Sequence, residues 1–114
     1  MSDNQFIIEE FFYYKVFLYG RTAGGEKTDY SIQLNLSSGK AILRFTRDFA
    51  QENTYEKIGD KYKFYVYLRA EKYPAFIDIL RYEKPLFFFY DLQSNESYMT
   101  TSDEPVGEEE PENG

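Results

Sequence analysis

Alternation is the clearest signal in the chain. Tyr30, Ile32, Leu34 and Leu36 alternate with Ser31, Gln33, Asn35 and Ser37, and because successive strand side chains point to opposite faces, this segment reads as a half-buried strand. Lys61 to Arg69 repeats the pattern with a difference. Tyr62, Phe64, Val66 and Leu68 form one set, while Lys61, Lys63, Tyr65, Tyr67 and Arg69 form the other. The outward set is a row of aromatics interleaved with cations. From Phe6 to Tyr19 the alternation is rougher, with Phe12, Tyr14, Val16 and Leu18 set against Phe11, Tyr13, Lys15, Phe17 and Tyr19. This stretch is expected to be one long first strand.

Between Leu36 and Ala41, Ser38-Gly39 reads as a two-residue hairpin turn, and such a loop fixes a register. Pairing Ser37 with Lys40 sets Leu36 against Ala41, Leu34 against Leu43 and Ile32 against Phe45, all apolar. The other face pairs Asn35 with Ile42, Gln33 with Arg44 and Ser31 with Thr46. Arg47 to Asp60 is mostly polar and reads as a long connection, with room for a short strand around Thr54 to Ile58 before a Gly59-Asp60 turn.

After Arg69 the period changes. Tyr73, Phe76, Ile77 and Leu80 fall at i, i+3, i+4 and i+7, one face of a helix within Ala70 to Lys84. Pro74 suits its first turn, Arg81 and Lys84 suit its negative end, and Pro85 stops it. Leu86 to Leu92 is apolar on both alternating sets, as in a strand covered on both sides or lying at an interface. A polar turn at Gln93 to Glu96 leads to a last strand at Ser97 to Ser102. The expected fold is α+β: an antiparallel β-sheet with one helix packed on one face, in the order β-β-β-β-α-β-β, over a single domain of residues 1–103.

Composition sharpens the charge picture. The formal net charge is −7, but Asp103, Glu104, Glu108, Glu109, Glu110 and Glu112 lie together with no base among them. Without them the body is close to neutral. Residues 104–114 have the composition of a disordered acidic tail. The 23 Phe and Tyr residues favour strands, and there is neither Cys nor His. Disulfides, Cys-based zinc sites and histidine acid/base chemistry are therefore excluded. No cofactor is expected. No apolar run approaches a membrane span, and the first residues lack the basic and apolar parts of a signal peptide, so a cytoplasmic location is expected.

Catalysis is not expected either. The carboxylates nearest the core elements, Asp78, Glu83 and Asp91, show no convergent spacing. The loop from Gly20 to Thr28 looks like a phosphate-binding loop but has Glu26 before Lys27 and a strand after it, where the motif needs Gly-Lys and a helix. The candidate chemistry lies on the open sheet face. Tyr13, Phe17, Tyr19, Tyr65 and Tyr67 supply aromatic rings, and Lys15, Arg44, Lys61, Lys63 and Arg69 supply positive charge. So many exposed aromatics would form a patch larger than a monomer usually carries. Single-stranded DNA or RNA would cover it by stacking and phosphate pairing. Alternatively, a protein partner or a second copy in a homodimer would bury it. If the face is basic, the acidic tail is a competitor for it.

The order of four strands and a helix, over roughly residues 6 to 84, is similar to that of the PUR-repeat and Whirly families. The likeness is one of topology, without a sequence motif. It implies a sheet that binds single-stranded nucleic acid.

Overall fold

The computed structural model describes residues 6–18, 28–47 and 52–101. Tyr19, most of the glycine-containing loop and the acidic tail lie outside the described residues. Among the described residues, eight strands and one α-helix follow in the order β1 Phe6–Phe11, β2 Tyr13–Leu18, β3 Thr28–Leu36, β4 Gly39–Thr46, β5 Thr54–Ile58, β6 Lys61–Arg69, α1 Tyr73–Tyr82, β7 Leu86–Asp91 and β8 Ser97–Thr101. The class is α+β, with six strands before the helix.

Those strands form two sheets, one of five strands in the order β2-β3-β4-β6-β5 and one of three in the order β1-β7-β8. The expected long first strand is therefore two strands in different sheets. The reason is phase. Ile7, Glu9 and Phe11 point inward from β1, whereas Tyr14 and Val16 lie on the inner side of β2, opposite Leu34 and Ile32. Odd and even positions cannot both face the core along one strand, so the chain breaks at Phe12, which is 73 % exposed.

The β3–β4 register also differs from the expected one, by two residues. Leu34 faces Ala41, Ile32 faces Leu43 and Tyr30 faces Phe45, with Ser37-Ser38 as the turn. A shift of two preserves both faces, so every inward residue is still inward. Gly39 is drawn into the strand because it lies against the backbone of Tyr62, whose N–H donates to the Ser38 carbonyl at 2.7 Å. This contact begins a parallel pairing of β4 with β6, in which Ala41 faces Phe64, Leu43 faces Val66 and Arg44 faces Tyr67. The sheet is thus mixed. β5 hairpins onto the outer side of β6 through the Gly59-Asp60 turn, with β6 inserted between β4 and β5.

One face of the large sheet is covered by two elements. Tyr73 and Phe76 of α1 pack on Phe45 with ring centroids 5.4 Å away, and Tyr73 stacks on Tyr30 at 4.1 Å. Ten residues of helix are marginal in isolation, so this apolar stripe, with Ile77 and Leu80 buried, holds α1 in place. The small sheet covers the rest. Phe64 meets Phe88 and Tyr90 at 5.3 and 4.7 Å, and Leu86, Phe88 and Tyr90 all point into the core. Both coverings lie on the side bearing Ile32, Leu34, Leu43, Phe45 and Phe64. Among the described residues, the opposite face of the large sheet carries no helix and no second layer.

Candidate functional site

The strand pairings lay out that opposite face as rows running across the sheet. Phe17, Ser31, Arg44 and Tyr67 form one row, and Lys15, Gln33, Ile42, Tyr65 and Thr54 the next. Tyr13, Asn35, Lys40, Lys63 and Glu56 form a third. Lys61 and Arg69 occupy the same face at the two ends of β6.

All the sequence-derived candidates that are described fall on this one face. They do not form a single cluster. β2 is an edge strand, so Tyr13 and Phe17 stand three strand spacings, about 14 Å, from Tyr65 and Tyr67. Between the two aromatic groups runs a polar strip of Ser31, Gln33 and Asn35, in which the Gln33 amide donates to Asn35 at 3.2 Å. Tyr13 is 72 % exposed and Phe17 37 %, whereas Tyr65 and Tyr67 are half-buried.

Around Tyr65 the groups are tied together. The Arg44 guanidinium lies 5.2 Å from the Tyr65 ring centroid and 5.9 Å from that of Tyr67, and its Nη1 donates to Tyr67 Oη at 3.3 Å. Lys63 Nζ lies 5.5 Å from the centroid of the same Tyr65 ring. Tyr65 Oη donates to Glu56 at 3.0 Å. On the far edge, Lys15 sits 5.8 Å from the Phe17 ring. Stacked and cation-paired rings are held in fixed orientations, which lowers the entropic cost of a ligand contacting them.

Two features were not among the sequence-derived candidates. Lys40 belongs to the face and lies directly beside Lys63 in the parallel pairing. Its outward phase with Ile42 and Arg44 was the available signal. Asn53 is the other. Its Oδ1 accepts from the Tyr67 N–H at 2.8 Å, and its Nδ2 donates to the Asn95 carbonyl at 2.9 Å. Asn95 Oδ1 in turn accepts from Tyr90 Oη at 2.7 Å, so the core anchors the β6 backbone at Tyr67 through two asparagines. No periodicity in the sequence points to such a link.

Lys40, Lys61 and Lys63 line a depression of about 400 Å³ together with Leu36, Gly39, Ile58 and Tyr62. Lys61 Nζ donates to the Ser37 carbonyl at 3.0 Å. Among the face positions whose side chains are described, six are cationic (Lys15, Lys40, Arg44, Lys61, Lys63 and Arg69) and one, Glu56, is a carboxylate. The described acids lie largely elsewhere. Glu9 and Glu10 are on β1, Glu52 precedes β5, Glu71, Asp78 and Glu83 are on or beside α1, and Asp91 and Glu96 are at the β7–β8 turn, while Asp60 lies in the β5–β6 turn next to Lys61.

The carboxylates considered for acid/base chemistry have local roles. Asp91 Oδ1 accepts from the N–H groups of Gln93 and Ser94, and these bonds hold its pKa below the usual value. Asp78 is exposed on α1, and Glu83 lines a cleft of about 600 Å³ with Glu10, Phe12, Tyr13 and Leu86. The small sheet has an aromatic outer face of its own, where Phe89 stacks on Tyr98 at 4.4 Å beside Phe6 and Ile8. No described helix is long and apolar enough to cross a membrane, and the described residues contain no group of three or more acidic side chains placed to hold a metal ion.

No family model, curated relative or solved structure matches the chain. The observed order of six strands before the helix, with a parallel pair at its centre, also departs from the four-strand arrangement that suggested the PUR-repeat and Whirly likeness.

Proposed function

We propose that the outer face of the five-stranded sheet binds single-stranded nucleic acid and that the protein is a non-catalytic binding module. The observation that carries this reading is charge segregation: a nearly neutral body has six cations and one carboxylate on the described positions of one sheet face. Like charges side by side, as at Lys40 and Lys63, are unfavourable in the free protein. An anionic ligand turns that cost into attraction. Phosphates fit the lysine-lined depression, bases stack on Tyr65 and Tyr67 and on Tyr13 and Phe17, and the amides of the polar strip meet base edges.

The same face against a protein is the second reading, and the charge pattern limits it. Two copies meeting through this face would bring basic rows together, so self-association there is the weaker form. A foreign partner would have to be acidic.

The test is fluorescence anisotropy with labelled single-stranded DNA and RNA. With about four or five phosphates neutralised, a tenfold rise in salt lowers the affinity by roughly 10³. Replacing both Tyr65 and Tyr67 by Ala removes stacking worth about 1 to 3 kcal/mol per base, a loss of at least tenfold. Tyr82→Ala, on the exposed side of α1, leaves affinity unchanged. Absence of binding at about 50 mM salt, or binding indifferent to both tyrosines, would refute the reading.

A further inference from the structure

We infer that the acidic segment following β8 docks on the lysine cluster of the large sheet and competes there with the nucleic acid. This rests on the reading of that face as a nucleic-acid surface. Two observations carry it. The first is charge: the six carboxylates from Asp103 to Glu112 are uninterrupted by any base, and the described positions of the outer sheet face bear six cations against Glu56.

The second is reach from the point where β8 ends. Thr101 pairs with Leu86, and Leu86 with Phe11, so the end of β8 lies two strand spacings, about 10 Å, from Phe11. Phe11 is two residues from Tyr13, and Tyr13 begins the row that runs through Asn35 and Lys40 to Lys63. The path from Thr101 to Lys63 along these steps is about 30 Å. An extended chain covers about 3.3 Å per residue, so Glu110 and Glu112, nine and eleven residues beyond Thr101, reach Lys63, and Glu108 reaches the neighbourhood of Lys40. The tether makes docking intramolecular, and because the span is close to full extension, occupancy rests on attraction by several lysines together.

The experiment uses the full chain with all six tail acids neutralised (Asp103→Asn and Glu104, Glu108, Glu109, Glu110 and Glu112→Gln), with a labelled thymidine oligonucleotide of about 20 nucleotides as the probe. At about 50 mM salt the neutralised chain binds about tenfold more tightly than the natural one, and the difference closes as salt approaches about 0.5 M. Amide chemical shifts of the unliganded chains provide a second readout that a mere change in net charge would not move: they differ at Lys40, Lys61 and Lys63 and not at Ser97 or Tyr98. Equal affinities at low salt overturn the tail proposal and leave the nucleic-acid reading standing. Tighter binding without local shifts overturns the docking contact. If neither chain binds the probe, the nucleic-acid reading fails, and the amide shifts alone decide whether the tail occupies the lysines.

Discussion

Gly39 begins the β4–β6 pairing, and substituting it tests whether that parallel pairing is what assembles the outer face. A Cβ built on Gly39 falls on the Tyr62 carbonyl oxygen and 2.8 Å from the Tyr62 backbone N and C, and φ at Gly39 is 146°, a value side chains rarely tolerate. Gly39→Ala therefore combines backbone strain of about 1 to 3 kcal/mol with the loss of the Tyr62–Ser38 hydrogen bond, worth about 1 kcal/mol, and β6 must move away from β4. The expected destabilisation is about 2 to 4 kcal/mol. Gly59 provides the matched control, since it also has positive φ, at 66°, but a Cβ there meets nothing within 4 Å. Gly59→Ala should cost only the left-handed strain, about 1 to 2 kcal/mol. Urea unfolding of the two variants reads the difference directly, and any gain from a stiffer unfolded chain is common to both and cancels. Variants that agree within about 0.5 kcal/mol would show that close approach to Tyr62 does not set the pairing.

Three further outcomes follow from buried or half-buried polar contacts. Burial pushes the Glu9 carboxyl pKa up, but hydrogen bonds from Ser38 (2.6 Å from its hydroxyl) and Ser37 outweigh this and hold it below the ordinary value of 4.5. Its contribution is present above pH 4.5 and disappears as pH falls through the lower folded value, so Glu9→Gln should cost about 1 kcal/mol at pH 7 and progressively less in acid. An acid titration of stability in which the two chains stay parallel would contradict this. Burial, with the neighbouring Tyr55, pushes the Tyr90 hydroxyl up to about 12, so its neutral form stabilises the fold below pH 10 and is undercut as the unfolded chain ionises between 10 and 12. Tyr90→Phe should lose about 1 to 2 kcal/mol at pH 7 and show a shallower alkaline decline, measured by denaturant midpoints across that range. Asn53→Ala removes the acceptor of the Tyr67 N–H and should lower both stability, by about 1 to 3 kcal/mol, and affinity for single-stranded nucleic acid; a stability loss with affinity unchanged would show that Asn53 does not position Tyr67.

Faces were legible in the sequence and neighbours were not. Alternation states on which side a residue lies, and it placed Tyr13, Lys15, Phe17, Arg44, Lys63, Tyr65 and Tyr67 on one side of the sheet, where they stand. The same alternation is identical for parallel and antiparallel pairing and for registers two residues apart. That is why the β4–β6 pairing, the Ser37-Ser38 turn and the place of Lys40 beside Lys63 had no sequence signal. The helix was readable because i, i+3, i+4 and i+7 at Tyr73, Phe76, Ile77 and Leu80 admit no strand alternative. The Phe12 break was not legible: Phe87 to Tyr90 is also a run of four aromatics, and β7 runs through it unbroken. Leu86 to Tyr90, apolar on both sets, proved double-sided: Leu86, Phe88 and Tyr90 fill the core while Phe87 and Phe89 face outward beside Ile8 and Tyr98.

Why the binding candidate lies on the large sheet rather than the small one follows from how each spends its aromatics. The small sheet's outer side groups Phe6, Ile8, Phe87, Phe89 and Tyr98 on three short strands, with few charges among them. The large sheet separates its rings into two pairs and fills the space between them with cations and amides, so each ring lies near a positive charge or polar group. Rings arranged for protein burial would be expected to touch one another, as Phe64, Phe88 and Tyr90 do in the core. On the outer face Tyr65 meets Arg44 and Lys63, and Phe17 meets Lys15. An alternating ring-and-cation surface is matched by a ligand that alternates planar groups with anions, and a single-stranded polynucleotide has that repeat in its covalent structure.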